Sequence, residues 1–196
     1  MVENVEPFVV IDVETTGLAP GVHSLVALAA VTVERGDNGV WAVTAEREWL
    51  FVEPEGGWVW SAGASKYWAG NPEAVRASRF GPSDERLPAY AVAGKLDRLL
   101  RNMWYPVMAA RAVGFEWGWV EHLYANAGSG VENPFKHRGF DLNTAVSMMV
   151  PQSIYDRTPG EVWPEDDACP SPLVDALAEA DILCRVLAWR DGQSVS

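Results

Sequence analysis

The sequence predicts a single α/β domain with a central mixed β-sheet flanked by helices, and three observations lead there. Residues 8–13 (FVVIDV) form a continuous apolar run of the kind that makes a strand buried on both faces. Two further strand candidates, 25–34 and 40–52, are joined by the short Gly-containing turn RGDNG, which reads as an antiparallel hairpin. From Ala64 onward the apolar spacing becomes helical, interrupted by one more buried-strand run, 105–110 (YPVMAA).

Each element can be justified in turn. The first strand ends in ETTGLAPG, a turn signal, and residues 53–63 form a Gly- and Trp-rich loop. SKYWAGNPEAVRAS and residues 90–103, with Leu96, Leu99 and Leu100, then follow a helical period. Helices are expected again over 114–125 and 142–150. Residues 151–172 carry Pro151, Pro159, Pro164 and Pro170 with the acidic run EDDA, and read as a long irregular segment. Ser171-Pro172 opens a last helix reaching Trp189, because proline is suited to a first helical turn. The order β-β-β-α-α-β-α-α-α has no repeat or linker, which places residues 1–190 in one domain and leaves 191–196 (DGQSVS) as a flexible tail.

Composition narrows the class. With 48% hydrophobic and 21% charged residues, the 196-residue chain has the balance of a globular domain rather than a disordered one. Of its ten tryptophans, Trp41, Trp49, Trp104, Trp117, Trp119 and Trp189 fall in strand-like or helix-like stretches and are expected in the core; Trp58 and Trp60, in the loop, are candidates for exposure. A net charge of −12 argues against gripping long phosphate backbones by charge alone, so any nucleic acid is expected to be held over a short footprint at one end. Cys169 and Cys184 form no zinc-binding pattern and are expected as reduced thiols in a cytoplasmic protein. MVENVEPF lacks the layout of a signal peptide, and the longest apolar stretch, LVALAAVTV, falls far short of the ~20 residues of a membrane span, so no membrane partner is expected.

The chemistry starts at the end of the first strand. Asp12 and Glu14 lie two residues apart, so their side chains share a face, and a pair of hard oxygen donors suits Mg²⁺ or Mn²⁺. In the form FVVIDVETTGL this segment resembles the first motif of the DEDD 3′→5′ exonucleases, the family that includes ribonuclease T, oligoribonuclease and the proofreading subunit of bacterial replicative polymerase. The resemblance implies a ribonuclease H-like fold, a two-ion site using Asp12 and Glu14, and a pocket for a 3′-terminal nucleotide shaped by Thr15, Gly17 and Leu18.

Two further segments are similar to the remaining motifs with substitutions. RAVGFE after YPVMAA resembles the second motif, H-N-A-x-F-D; Phe115 matches, and Glu116 stands at the third carboxylate, while His-Asn has become Arg-Ala. VDALAEA resembles the third motif, H-D-A-L-A-D-A, with Val174 at the general-base histidine and Glu179 at the fourth carboxylate. Asp175 and Glu179 share a helix face; Asp181 is the weaker alternative to Glu179 as ligand, and His122 is the one histidine considered as a stand-in base. Tyr67 and Trp68 are candidates for the border of a substrate groove or for the core. Asp141 reads as a helix N-cap.

The resemblance therefore implies a metal-dependent 3′→5′ exonuclease acting on short single-stranded DNA or RNA, with Asp12, Glu14, Glu116 and Glu179 as catalytic and metal-binding carboxylates and Phe115 joining Thr15, Gly17 and Leu18 at the substrate. Loss of a general base typically costs ~10²–10⁴ in rate. Two readings stay open: a weakened exonuclease, or a pseudo-exonuclease kept as a nucleic-acid or protein-binding module. A homodimer or a protein partner also stays open.

Overall fold

In a computed structural model, which describes residues 6–128, 132–149 and 171–192, the apolar runs pair into one five-stranded sheet. β1 (Phe8–Thr15) is its middle strand, flanked by β2 (Leu25–Arg35) and then β3 (Trp41–Leu50) on one side, both antiparallel. On the other side lie β4 (Val107–Ala110) and β5 (Gly139–Asp141), both parallel to it. The sheet is therefore mixed, with the α/β ribonuclease H-like arrangement expected. The sequence predicts no strand at β5, whose last residue, Asp141, it reads as a helix N-cap; three residues are too few to show a period of two.

The connections differ from expectation at one place. SKYWAGNPEAVRAS is not one helix but two, α1 (Ala62–Gly70) and α2 (Glu73–Phe80). Pro72 has no N–H to donate and disfavours a helical residue before it, so the chain breaks at Asn71-Pro72. α3 (Ala89–Leu100), α4 (Val113–Asn126), α5 (Leu142–Met149) and α6 (Pro172–Arg190) follow. The expected irregular segment lies outside the described residues up to residue 170, as does Cys169.

Strand alternation sorts the core into two layers. Val9, Ile11 and Val13 pack with α3 and α4, whereas Phe8 and Val10 pack with α5 and α6 through Leu142, Ala176, Ala180 and Leu183. Asp12 and Glu14 continue the second set, so they lie on the α6 face. The direction of α6 across that face is set at its far end. Trp41 Nε1 donates to Asp191 at 2.9 Å, and the Trp41 ring lies edge-on to Phe8 at 5.7 Å. The C-terminal end of α6 thus sits at the start of β1, and α6 runs antiparallel to β1 with its N-terminal end toward Glu14. Asp191, the first residue of the expected tail, is held by this bond and by Arg35 at 3.6 Å.

Two expected core tryptophans are not in it: Trp104 is 64% and Trp189 44% exposed, because one sits in the turn before β4 and the other in the last turn of α6. Trp58 is half-buried and Trp60 is 38% exposed; both pack on Phe80, which also receives Trp68. Trp68 is buried, while Tyr67 is exposed.

Candidate active site

The C-terminal ends of parallel strands β1, β4 and β5 meet at one edge of the sheet, the usual place for a ligand crevice in α/β proteins. β1 delivers Asp12 and Glu14 there. β4 leads into α4, whose first turn carries Glu116, and α6 carries Glu179 across the same face. Asp141, opposite Ala110 in the β4–β5 pairing, joins two helix starts: it accepts from Val113 N of α4 at 3.1 Å and from Thr144 N of α5 at 2.7 Å. Burial pushes its carboxyl up, but these bonds outweigh that and hold it below the ordinary value. It is a cap, as its sequence position implies.

The four carboxylates share an electrostatic environment. Burial raises Asp12 well above the usual carboxylate range, and Glu179, Glu14, Asp175 and Glu116 add to the effect in that order. Glu14 is pushed up to about 7, first by burial and then by Asp175, with Arg79 opposing. Glu116 rises to about 7 through burial, and Glu179 to about 8 through burial, Glu116 and Asp175. Glu116 and Glu179 are only 6% and 5% exposed, too dry for free carboxylates without a partner. Glu179 Oε2 accepts from the Arg111 backbone N–H at 3.0 Å, whereas the buried Glu116 Oε2 has no hydrogen-bond partner among the described residues.

Hard oxygen donors of this kind suit a divalent cation, and an orphaned buried carboxylate oxygen is what such a cation would satisfy. The residues fit in donor type and burial. As the side chains stand, however, no three His, Cys, Asp or Glu among the described residues form a group able to hold a metal ion. The carboxylates are electrostatic neighbours, Glu116 and Glu179 buried and Asp12 and Glu14 half-buried, and not a closed cage. One oxygen of Glu179 is committed to the Arg111 N–H just after β4.

The remaining candidates divide. Thr15 Oγ1 donates to Gly17 O at 2.7 Å, and Gly17 is buried with its Cα against the His23 ring, where an added Cβ would lie 2.5 Å from Cδ2. Leu18, at the tip of this turn, is 78% exposed. Phe115 is half-buried and packs toward Trp119 in the core. Val174 is 44% exposed and contributes no base. His122 hydrogen-bonds with Asn126 and packs near Gly21, and it is not among the groups that shift the carboxylates. Asp181 is exposed and pairs with Arg185 at 2.7 Å.

Thr16 is an anchor that sequence reasoning passed over. Fully buried, it donates through Oγ1 to Val59 O at 2.5 Å and accepts there from Ser24 N at 2.8 Å, while Ser61 N donates to its carbonyl at 2.8 Å. Trp68 Nε1 donates to Thr15 O at 3.2 Å. The loop with exposed Val59 and Trp60 is thereby fastened beside the first-motif turn. The paired threonines after Glu14 were the available signal.

No family model matches the chain, and no curated protein matches it significantly in sequence. Solved structures do resemble it. E. coli exonuclease I in a metal-free complex with single-stranded DNA superposes with a TM-score of 0.61 at 14% identity, over 96% of this chain and 41% of that one. The zinc-bound form of the same complex gives 0.61 at 14%, over 95% and 41%. A full-length 3′-exonuclease gives 0.62 at 15%, over 95% of this chain and 83% of that one. This chain thus spans about two fifths of exonuclease I. At such identities the likeness is one of fold, and the fold is the ribonuclease H-like α/β domain of these exonucleases.

Proposed function

We propose that the protein is a metal-dependent 3′→5′ exonuclease-like protein acting at the 3′ end of short single-stranded nucleic acid. The observation that supports this reading is that Glu14, Glu116 and Glu179 all act electrostatically on Asp12, with Glu116 Oε2 unpartnered among the described residues, at the strand ends of an exonuclease-like fold. Solved relatives of that fold include single-stranded DNA complexes and a zinc-bound form.

Asp12, Glu14, Glu116 and Glu179 would hold Mg²⁺ or Mn²⁺, which when bound polarises the scissile phosphate and acidifies water. The chain's own residues do the rest. The Thr15–Leu18 turn, clamped by Thr16 and His23, presents exposed Leu18, and the Val59–Trp60 stretch fastened to Thr16 adds further exposed apolar surface for a terminal base. Burial keeps water out around Glu116 and Glu179. With valine at 174, no side chain of the third motif accepts the attacking water's proton, and the rate is correspondingly low.

The test is digestion of 5′-labelled single-stranded DNA and RNA oligonucleotides with Mn²⁺ or Mg²⁺, beside Asp12→Ala. Shortening from the 3′ end that needs metal and Asp12 is the expected result; none with either ion would remove the enzymatic reading. The loss of the histidine and the open arrangement of the carboxylates favour a second reading, a binding module that retains oligonucleotide affinity without cleavage.

A further inference from the structure

The carboxylates lie toward the C-terminal ends of β1 and β4, and the N-terminal ends of the same strands carry a different cluster. Residues 102–105 lead into β4 beside Glu6 and Pro7, which lead into β1, and Val107 N donates to Pro7 O at 2.9 Å. A cavity of about 300 Å³ opens there, with Glu6, Glu34, Arg35, Asn102, Trp104 and Tyr105 in its wall. Trp104 and Tyr105 are both exposed, and their rings meet edge to face at 4.9 Å. Lys136 Nζ and the Arg138 guanidinium each lie 5.7 Å from the centre of the Tyr105 ring. The backbone is strained to hold this arrangement. Tyr105 and Lys136 have φ of 54° and 56°, a left-handed conformation that side chains other than those of Gly, Asn and Asp seldom adopt. The turn that carries Lys136 is pinned by fully buried Phe135, by Lys136 N donating to Asn133 O at 3.1 Å and by Arg138 Nη1 donating to Tyr105 O at 2.5 Å.

We propose that Trp104, Tyr105, Lys136 and Arg138 form a stacking platform for single-stranded nucleic acid, separate from the carboxylate pocket. The inference rests on the nucleic-acid reading above and adds to it a second contact, at the other end of the strands. Exposed rings beside cations are the combination that takes unpaired bases by their faces and the adjoining phosphates by charge. Strained residues persist where the surrounding structure over-determines them, and here they bring an ammonium and a guanidinium to an exposed ring. The charges leave a place for a phosphate. Arg138 is paired with Glu6 and Arg35 with Asp191, whereas exposed Lys136 forms no ion pair among the described residues. Glu34, the remaining carboxylate of the cavity wall, accepts from the Thr44 hydroxyl at 2.6 Å. In a chain of net charge −12, affinity for a strand has to come from such a local site, with stacking supplying what charge does not.

The experiment measures binding of the full chain to 5′-fluorescein-labelled oligothymidylate and oligoadenylate of roughly 16 nucleotides, by anisotropy in EDTA so that nothing is cleaved. Trp104→Ala should weaken binding at least about fivefold, the scale of one lost stacked base. Trp104→Leu keeps the apolar bulk without the ring and should weaken it similarly, which covers the case of an alanine variant that does not fold. Lys136→Asn removes the charge with a residue that tolerates the left-handed backbone, and should reduce the slope of log K against log salt by about 0.7. Tyr90→Ala, equally exposed but at the far end of α3, should change nothing. A blunt duplex of the same length hides its bases, so its binding should not depend on Trp104. Unchanged single-strand affinity in both Trp104 variants would overturn the proposal. So would a dimer in sedimentation that Trp104→Ala splits without affecting the oligonucleotide, since the rings would then serve a second copy of the chain. Metal-dependent 3′ shortening without any need for Trp104 in binding removes this inference alone, whereas Trp104-dependent binding with no shortening in Mn²⁺ or Mg²⁺ upholds it and removes the enzymatic reading.

Discussion

Val174 occupies the place of a proton acceptor without being able to be one, and its environment makes it easy to change. At 44% exposure it contributes little to the core, so Val174→His should fold with nearly unchanged stability. If the carboxylates hold their ions productively, a histidine there restores ~10²-fold or more in rate, measured as 3′-end shortening with Mn²⁺. A smaller gain would locate the deficit in the longer Glu116 and Glu179, and adding Glu116→Asp and Glu179→Asp should then raise activity by more than the product of the single effects. Gly17 makes a different kind of residue-scale test. Its Cα lies so close to the His23 ring that a methyl group would come within 2.5 Å of Cδ2, and the ring is held by the Ala19 N–H donating to Nδ1 at 3.1 Å. Gly17→Ala must displace the ring or the turn, so it should weaken oligonucleotide binding while leaving the Mn²⁺-induced rise in melting temperature intact. Loss of both would place Gly17 in the metal pocket's support and not at the substrate.

Elements position these residues, and Asp141 shows how. One carboxylate caps α5 and also holds the start of α4, three residues before Glu116. Asp141→Ala should cost about 1–2 kcal/mol in urea unfolding, the scale of a lost N-cap, and should also loosen the register of Glu116. A Mn²⁺ affinity that falls more than the stability loss accounts for would show that the cap serves the site. Asp141 could be read as a cap from its place before an apolar helical run, and β1, the hairpin and α6 were equally legible because long buried runs and a Ser-Pro start are strong local signals. β5 and the break at Asn71-Pro72 were harder: a three-residue strand carries no period, and aromatic spacing continued through the proline. Trp104 and Trp189 were misplaced for a related reason, since apolar residues at element ends follow the period but need not meet the core. The effect of Asp175 on Glu14 was out of reach. Periodicity puts Asp175 and Glu179 on one face, but which strand residue lies opposite depends on the direction of α6, and that is set by a bond between Trp41 and Asp191 across most of the chain.

At the scale of the whole molecule, the chain stores carboxylate repulsion that metal would relieve, and pH reports it. In the absence of metal Glu14 and Glu116 titrate near 7 and Glu179 near 8, all above the ordinary glutamate value of 4.5. Between those values the folded state binds protons that the unfolded chain has released. The stability they contribute is complete below the unfolded value and is lost as pH rises through the folded ones. The chelated protein should therefore melt progressively lower from about pH 5.5 to about pH 8.5. The overall charge of −12 pushes in the same direction, but it acts largely between exposed groups and is screened by salt, whereas the buried carboxylates are not. The slope should accordingly persist at about 0.5 M NaCl, where the screening length is only a few ångströms. A cation competes with those protons for the same oxygens, and binding to the native state alone raises stability by RT ln(1 + [L]/Kd). The Mn²⁺-induced rise in melting temperature should then be larger at about pH 8 than at about pH 6, and Asp12→Ala should abolish it at both. A melting temperature that is flat with pH in EDTA and high salt would show that the four carboxylates do not share one dry pocket, and the metal-dependent reading would fall with them.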